Sequence, residues 1–493
     1  MIFYAHKLEF IDRDAATRKC AMCFEAVPEE LLRMFVTGEI SGDTSSEALE
    51  FLEESKYFGE TWNSFDQEGP DGEAFLENKR LYLSEIRAVQ ITLLFEEFGR
   101  AMELERSETD WWRIYVDFPG GDLPEDAVPV FIEDPAETLY AGYEPLSQEE
   151  NNILYSLYVS EGRENHGGMG SDIQGTGQGI LGNIAKDTQF GKVQVLYVGA
   201  GLSCRILDYT GHVVGYFDMG EELAFSAALL QQRAPFMAPM LNQVKQDSIN
   251  IMKQDAGTGA ALTVIISHWH YDHVRVLGTL AREYIRSGSY AAFWTNLTLI
   301  CPAMVRYPGW SVMDYNDIRA VMSRLNQSGF QPVANVTNLQ TVSFHPGSND
   351  KITLYKGDIG GRRSVQVHPH NHGIAAVIRM GAGSGGNKVF LAGDCSYDTL
   401  NGIAGVLDNG GIGYEYLVAT HHGGTYMSDL TSNPTYIPKP GVLGNARLVY
   451  SANGVAYGHP NPMYMGDYAN RGWTNPICLH QHCRPGQICD QLL

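Results

Sequence analysis

In Ser267-His268-Trp269-His270-Tyr271-Asp272-His273, three imidazoles and one carboxylate fall within six residues, in a chain that has only 15 histidines among 493 residues. Imidazole nitrogen and carboxylate oxygen are the ligands of borderline divalent ions such as zinc. A catalytic site gathers several of them and leaves one coordination position open. The cluster follows directly on the apolar run Leu262-Thr263-Val264-Ile265-Ile266, which reads as a buried strand, so the ligand types sit where a strand gives way to a loop. His268 and His270 are two apart, and extended backbone turns both toward one side. Asp272 and His273 come next and can reach a second position beside the first. The bland alternative is a solvated polar loop. This density of ligand types argues against it, and we read the cluster as a metal site.

A binuclear centre needs further ligands, and they are expected at later strand ends. Val367-His368-Pro369-His370-Asn371-His372-Gly373 precedes the apolar run Ile374 to Met380. Val389-Phe390-Leu391-Ala392-Gly393-Asp394 is a strand ending in Gly-Asp, and Tyr416-Leu417-Val418-Ala419-Thr420 runs into His421-His422-Gly423-Gly424. Leu448 to Asn453 is followed by Gly458-His459-Pro460. A lone histidine is more often a cap or core residue, but four such strand ends in series after the first cluster form a pattern.

Read together, these motifs resemble the metallo-β-lactamase fold family, whose HxHxDH signature is matched by His268, His270, Asp272 and His273. The chain is more closely similar to the hydrolase domain of DNA-internalisation competence proteins. Their pattern opens with a hairpin matched by Val198-Gly199-Ala200-Gly201 and Asp218-Met219-Gly220, then runs through HxHxDH, Gly-Asp, His-His-Gly and Gly-His-Pro, all present here in that order. The resemblance covers roughly residues 190 to 480. It implies an αββα sandwich with two divalent ions, zinc first and manganese second, at the strand ends. One ion would take His268, His270 and His370. The other would take Asp272, His273 and a late histidine, either His459, as the competence-type pattern implies, or one of His421 and His422. Asp394 would bridge both. His370 is favoured over His372 because it keeps the family's His-x-x-Gly spacing to Gly373. Two departures stand out: competence-type relatives usually carry Asn at the third-histidine position, and the glycine expected soon after the first cluster is replaced by Val274-Arg275-Val276-Leu277.

The activity so implied is metal-dependent hydrolysis, in the first place of a phosphodiester, with nucleic acid a candidate substrate. Asp272 would orient the nucleophile and accept its proton, and whichever of His421 and His422 is not a ligand would face the substrate. Two other readings differ in class. One is hydrolysis of a lactone, thioester or small ester on the same metals; the other is a partner-binding protein with a structural metal. The full ligand set argues against the last, because structural zinc sites are closed and mononuclear.

The elements that must position these residues form an α/β domain of layered, mixed strands over residues 191–493. Ahead of it we expect an acidic extra domain over residues 1–160 and a glycine-rich linker over 161–190. The net charge of −23 comes wholly from the first 190 residues, the remainder being slightly positive. That half would repel nucleic acid and membranes, whereas the near-neutral remainder need not, and the acidic half could instead take a protein partner. Within it we expect a strand over residues 1–15, helices over 28–34, 46–58 and, most strongly, 75–105, a strand at Trp111–Val116, and surface loops from Pro119 to Pro145. No secretory leader or membrane-spanning run is seen, so a cytoplasmic protein without a disulfide framework is expected. Cys20-Ala21-Met22-Cys23 is a lone CxxC, the GxGxxG at Gly177, Gly179 and Gly182 follows no strand, and the Cys/His-rich tail from Cys478 to Cys489 reads as a strand with buried thiols more than as a zinc site.

Overall fold

The structure is a computed structural model that describes residues 2–11, 20–29, 89–95, 100, 104, 111–117, 127–132, 134–147, 150–151, 190–302, 311–325, 330–333, 342–344, 352–356, 373–380, 388–400, 405–427, 432–441, 446–455, 458–486 and 490–492. The chain is of mixed α/β class and divides into two compact units. One comprises residues 1–163, 277–291 and 308–326, and the other comprises 164–276, 292–307 and 327–493. The Gly-rich stretch with its GxGxxG and the helix expected over 46–58 lie outside the described residues, as does the helix expected over 28–34 apart from Pro28, which is the last residue of a strand, and Glu29.

The first unit is built on a closed antiparallel barrel of six strands: β1 (Ile2–Ile11), β2 (Cys20–Pro28), β3 (Val89–Phe95), β4 (Trp111–Asp117), β5 (Val128–Ile132) and β6 (Asp134–Pro145). Their order around the barrel is β1-β2-β3-β5-β6-β4, closing on β1. Alternate residues fill it: Phe3 and Ala5, Met22, Phe24 and Ala26, Ile91, Leu93 and Phe95, and Trp112, Ile114 and Val116 are all buried in one cluster. Two expectations are corrected here. Val89–Phe95, expected to be helical, is a strand; β-branched Val89, Ile91 and Thr92 favour the pleat, and Ile91, Leu93 and Phe95 share its inner face. The region expected to be loops up to Pro145 contains β5 and β6, and Pro129 sits next to an irregular register between Val130 and Ile132.

In the second unit one seven-stranded sheet contains β7 (Phe190–Val195), β8 (Ser203–Asp208), β9 (Val213–Met219), β10 (Thr263–Ile265), β11 (Thr298–Pro302), β12 (Phe330–Val333) and β20 (Asp490–Leu492), in the order β12-β11-β10-β9-β8-β7-β20. The other runs in order from β13 (Val342–Phe344) through β14 (Ile352–Lys356), β15 (Ile374–Arg379), β16 (Lys388–Leu391), β17 (Tyr416–Val418) and β18 (Arg447–Tyr450) to β19 (Pro476–Cys478). Both are mixed. Parallel pairing joins β9, β10, β11 and β12 in the first, and β16, β17, β18 and β19 in the second.

A single core draws on both sheets. Val193, Ile206, Phe217 and Ile265 of the first are buried together with Ile374, Ala376, Ile378, Leu391, Val418 and Val449 of the second. The alternate residues of the second sheet, Ala375, Val377, Phe390, Leu417 and Leu448, face a separate cluster with Tyr397, Tyr426, Tyr468 and Trp473. The period-2 alternation buried on both faces explains why these strands read as continuous apolar runs in the sequence. Among the described residues the helices include α1 (Ala224–Arg233), α2 (Ala238–Gly257), α3 (Tyr271–Ser287), α4 (Ala291–Asn296), α5 (Val312–Arg324), α6 (Tyr397–Leu400), α7 (Pro462–Arg471) and α8 (Leu479–His482), of which α5 and the larger part of α3 fall in the first unit. Among the described residues no helix is long and apolar enough to cross a membrane.

Candidate metal centre

β10 ends at Ile265, and the chain delivers His268 and His270 in the following loop before α3 begins at Tyr271. Asp272 and His273 therefore lie in the first helical turn, where an acidic side chain suits the positive end of the helix. From the second sheet, β16 presents Asp394 beyond Gly393, and β17 runs into a short 3-10 turn (Thr420–Gly423) that carries His421 and His422. The strand ends thus converge, as parallel strands in α/β folds commonly do at their carboxyl ends.

Two buried groups result. In one, ligand atoms of His268, His270 and Asp394 all lie within 4.8 Å of one another; in the other, those of Asp272, His273 and His422 do the same. Asp394 stands between them. Its Oδ2 lies 3.9 Å from His268 Nε2, while its Oδ1 lies 3.2 Å from His273 Nε2 and 3.8 Å from His422 Nε2. Asp272 Oδ2 is 3.0 Å from His422 Nε2 and 3.8 Å from His273 Nε2.

Backing residues fix the rings. His273 Nδ1 is 2.8 Å from Asp218 Oδ2, and His422 Nδ1 donates to the Ser451 carbonyl at 2.9 Å. Each bond holds the proton on Nδ1 and leaves Nε2 facing the group, the usual support of a metal-binding imidazole. His268 Nδ1 is 3.0 Å from Ser267 Oγ, which itself donates to Asp218 Oδ2 at 2.8 Å. Asp218 also accepts the Ser267 backbone N–H at 2.6 Å, so one buried carboxylate at the end of β9 sets the start of the His268 loop and the His273 ring together. Glycines of the hairpin and Gly-Asp motifs serve close approach. A Cβ on Gly220 would lie 1.6 Å from the Asp272 carbonyl oxygen, and one on Gly393 would lie 2.4 Å from Ser267 Cβ.

The backbone at His421 and His422 is strained. Both adopt left-handed φ, 50° and 54°, at a cost of order 1–3 kcal/mol each. The turn is held by its surroundings: His421 N–H donates to the Gly393 carbonyl at 3.2 Å, and Thr420 Oγ1 donates to the Cys395 carbonyl at 2.8 Å. Strain of this kind collects at functional sites.

The electrostatics are those of a site that demands positive charge. Burial opposes protonation of His273, yet Asp394, Asp272 and Asp218 outweigh it and hold its pKa well above the ordinary value. His422 is raised in the same way, against burial, by Asp394 and Asp272. Burial works against ionisation of Asp394, but His273 and His422 hold its carboxyl well below the usual range. Donor set, burial and charge demand all fit divalent ions.

Set beside the sequence reading, the structure brings together His268, His270, Asp272, His273 and Asp394. His370, with His368 and His372, lies outside the described residues. His422, expected to be either the late ligand or a substrate-facing residue, completes the second group, whereas His459 belongs to neither group. His459 instead packs against His421, ring centroids 5.1 Å apart, and burial lowers the pKa of both. Three supporting residues were not assigned a role from sequence: Asp218, Ser267 and Ser451. Asp218 had a signal, since it opens the Asp-Met-Gly motif; the two serines had none.

The cysteines fall elsewhere. Cys20 and Cys23 lie three apart in β2, so they point to opposite faces, with Cys20 in the barrel core and Cys23 Sγ 3.5 Å from Thr92 Oγ1. In the tail, Cys478 is a free buried thiol at the end of β19, while Cys483 is disulfide-bonded and so is not a thiolate ligand.

No protein-family model matches the chain, and no curated protein matches it in sequence.

Proposed function

We propose that the chain is a metal-dependent hydrolase with a binuclear centre, that its two-sheet unit is an αββα sandwich of the metallo-β-lactamase type, and that it cleaves phosphodiesters. The observation that carries this reading is the pair of buried three-residue groups with the two oxygens of Asp394 turned one toward each. A structural zinc site would need only one closed group of four ligands. The chemistry that two divalent ions supply when bound is a water acidic enough to be hydroxide near neutral pH, together with positive charge opposite the developing oxyanion.

The residues divide the remaining work. His268 and His270 with Asp394 would hold one ion, and Asp272, His273 and His422 the other, with zinc first and manganese second as the occupant. Asp272 is a carboxylate held ionised, against burial, by His273 and His422, so it can orient a nucleophile and take its proton. His421 and His459, outside both groups and neutral near pH 7 because burial lowers their pKa, suit hydrogen-bond donation to substrate oxygens rather than proton transfer.

The test is elemental analysis on the purified chain, paired with turnover of bis-p-nitrophenyl phosphate and of p-nitrophenyl acetate on the same sample. Two ions per chain and chelator-sensitive phosphodiester turnover are expected. Turnover of the acyl ester alone would move the assignment to an esterase or lactonase, and neither metal nor turnover would overturn the proposal.

A further inference from the structure

Glu222 follows the Asp218-Met219-Gly220 motif and is buried. Three donors from three separate segments converge on its carboxylate. The Ala200 backbone N–H, in the turn between β7 and β8, donates to Oε2 at 3.2 Å. Asn453 Nδ2, in the loop after β18, donates to the same oxygen at 2.9 Å. Lys245 Nζ, from α2, donates to Oε1 at 2.9 Å. The carboxylate is seated so closely that a Cβ on Gly199 would lie 2.1 Å from its Cδ.

Two of the three segments that Glu222 holds lead to the same half of the centre. The turn it gathers continues into Leu202, whose N–H donates to the Asp272 carbonyl at 3.0 Å. In the same turn the Gly201 carbonyl accepts Ser451 Oγ at 2.5 Å. Ser451, two residues before Asn453, supplies the carbonyl that orients His422. Asp272 and His422 are both members of the second group. The first group is reached less directly: Leu202 also accepts the Gly220 N–H at 3.0 Å, two residues from Asp218, but His268 and His270 come from one short loop, and the backing of His268 runs through Ser267 and Asp218.

We infer that Glu222, tied to Asn453 and Lys245, is a positioning residue for the second ion alone, so that the two ions of the centre are held with separable affinities. This rests on the binuclear reading proposed above. Mutation of an outer-shell partner commonly costs 10- to 100-fold in metal affinity, and here that loss falls on one ion of two.

The test is titration of the apo-protein with Co(II), followed by its visible absorption, on the full-length chain. Glu222→Gln keeps an acceptor for Ala200 and Asn453 but loses the charge facing Lys245. We expect one equivalent to bind as in the wild type and the other to weaken by about tenfold or more. To assign the weakened ion, the change is repeated in two backgrounds. In His270→Ala, where the second group is intact, Glu222→Gln should still weaken binding; in His422→Ala, where the first group is intact, it should have no effect. Asn453→Ala provides a second probe should Glu222→Gln fold poorly, and it should weaken the same ion while leaving the Lys245 ion pair in place. Equal weakening in both backgrounds, or in neither, would overturn the inference while leaving the binuclear reading intact. A wild-type chain that takes up no cobalt would overturn both.

Discussion

The Arg113 network of the acidic barrel and the metal centre of the two-sheet unit treat their charged residues in opposite ways. In the barrel, Arg113 bridges Glu144 at 2.7 Å and Glu150 at 2.9 Å, and those carboxylates keep 46% and 41% of their side-chain surface in water. In the two-sheet unit, Asp218, Asp272 and Asp394 keep at most 8%. A solvated carboxylate can be ionised at little cost and interacts weakly with its neighbours. A buried one must be matched by cations, protons or donors. Desolvation separates the two sets of carboxylates.

The largest expected effect comes from removing the residue between the two groups. Asp394→Asn should lower phosphodiester turnover by about 100-fold or more and strip both ions, read by elemental analysis. Glu144→Gln in the barrel should leave turnover within about twofold. A comparable loss from the barrel variant would break the contrast between the regions. Next in size is a test within the centre. His422→Ala should lose one ion of two, while His459→Ala should keep both and change turnover less; loss of an ion from His459→Ala instead would return the late ligand to the Gly-His-Pro motif.

A backbone effect ranks third. Gly220→Ala should destabilise the two-sheet unit by about 2–4 kcal/mol in denaturant melts, because its methyl would collide with the Asp272 carbonyl. Gly211, at φ 89° with nothing within 4 Å of a built Cβ, carries only the left-handed penalty, so Gly211→Ala should cost about 1–2 kcal/mol. Equal costs would show that the close approach matters less than the backbone angle.

Smallest is the surface network. Arg113→Met should cost less than about 1 kcal/mol. Hydrogen bonds from Tyr115 and Arg113 lower the Glu144 pKa. Its contribution is therefore present above the ordinary value of 4.5 and is lost as the pH falls through the lowered folded value. An acid melt of the variant should lose part of its slope in that range.

Much of the centre was legible because ligand types and strand patterns are local. The apolar run before His268 forms β10, the run before Asp394 forms β16, and the run before His421 leads from β17, each ending within a few residues of where alternation stops. The barrel was less legible. Val89, Leu93 and Leu94 fall near a helical period, while the strand they belong to shows its own period only over Ile91, Leu93 and Phe95. Short barrel strands carry seven or fewer informative positions, and one alternation in a charged background is easily masked.

The sequence by itself determined which atoms were available. Imidazole and carboxylate are concentrated at strand ends, and glycines stand at the hairpin positions where backbones must meet. The choice among them required tertiary structure. His422 rather than His459 completes the second group because two left-handed residues turn its ring and the Ser451 carbonyl, a partner 29 residues away, fixes its proton. Asp218 likewise acquires its role from His273, 55 residues distant. Contacts at that separation depend on which strands lie side by side, β9 beside β10 and β17 beside β18, and no spacing along the chain records that pairing.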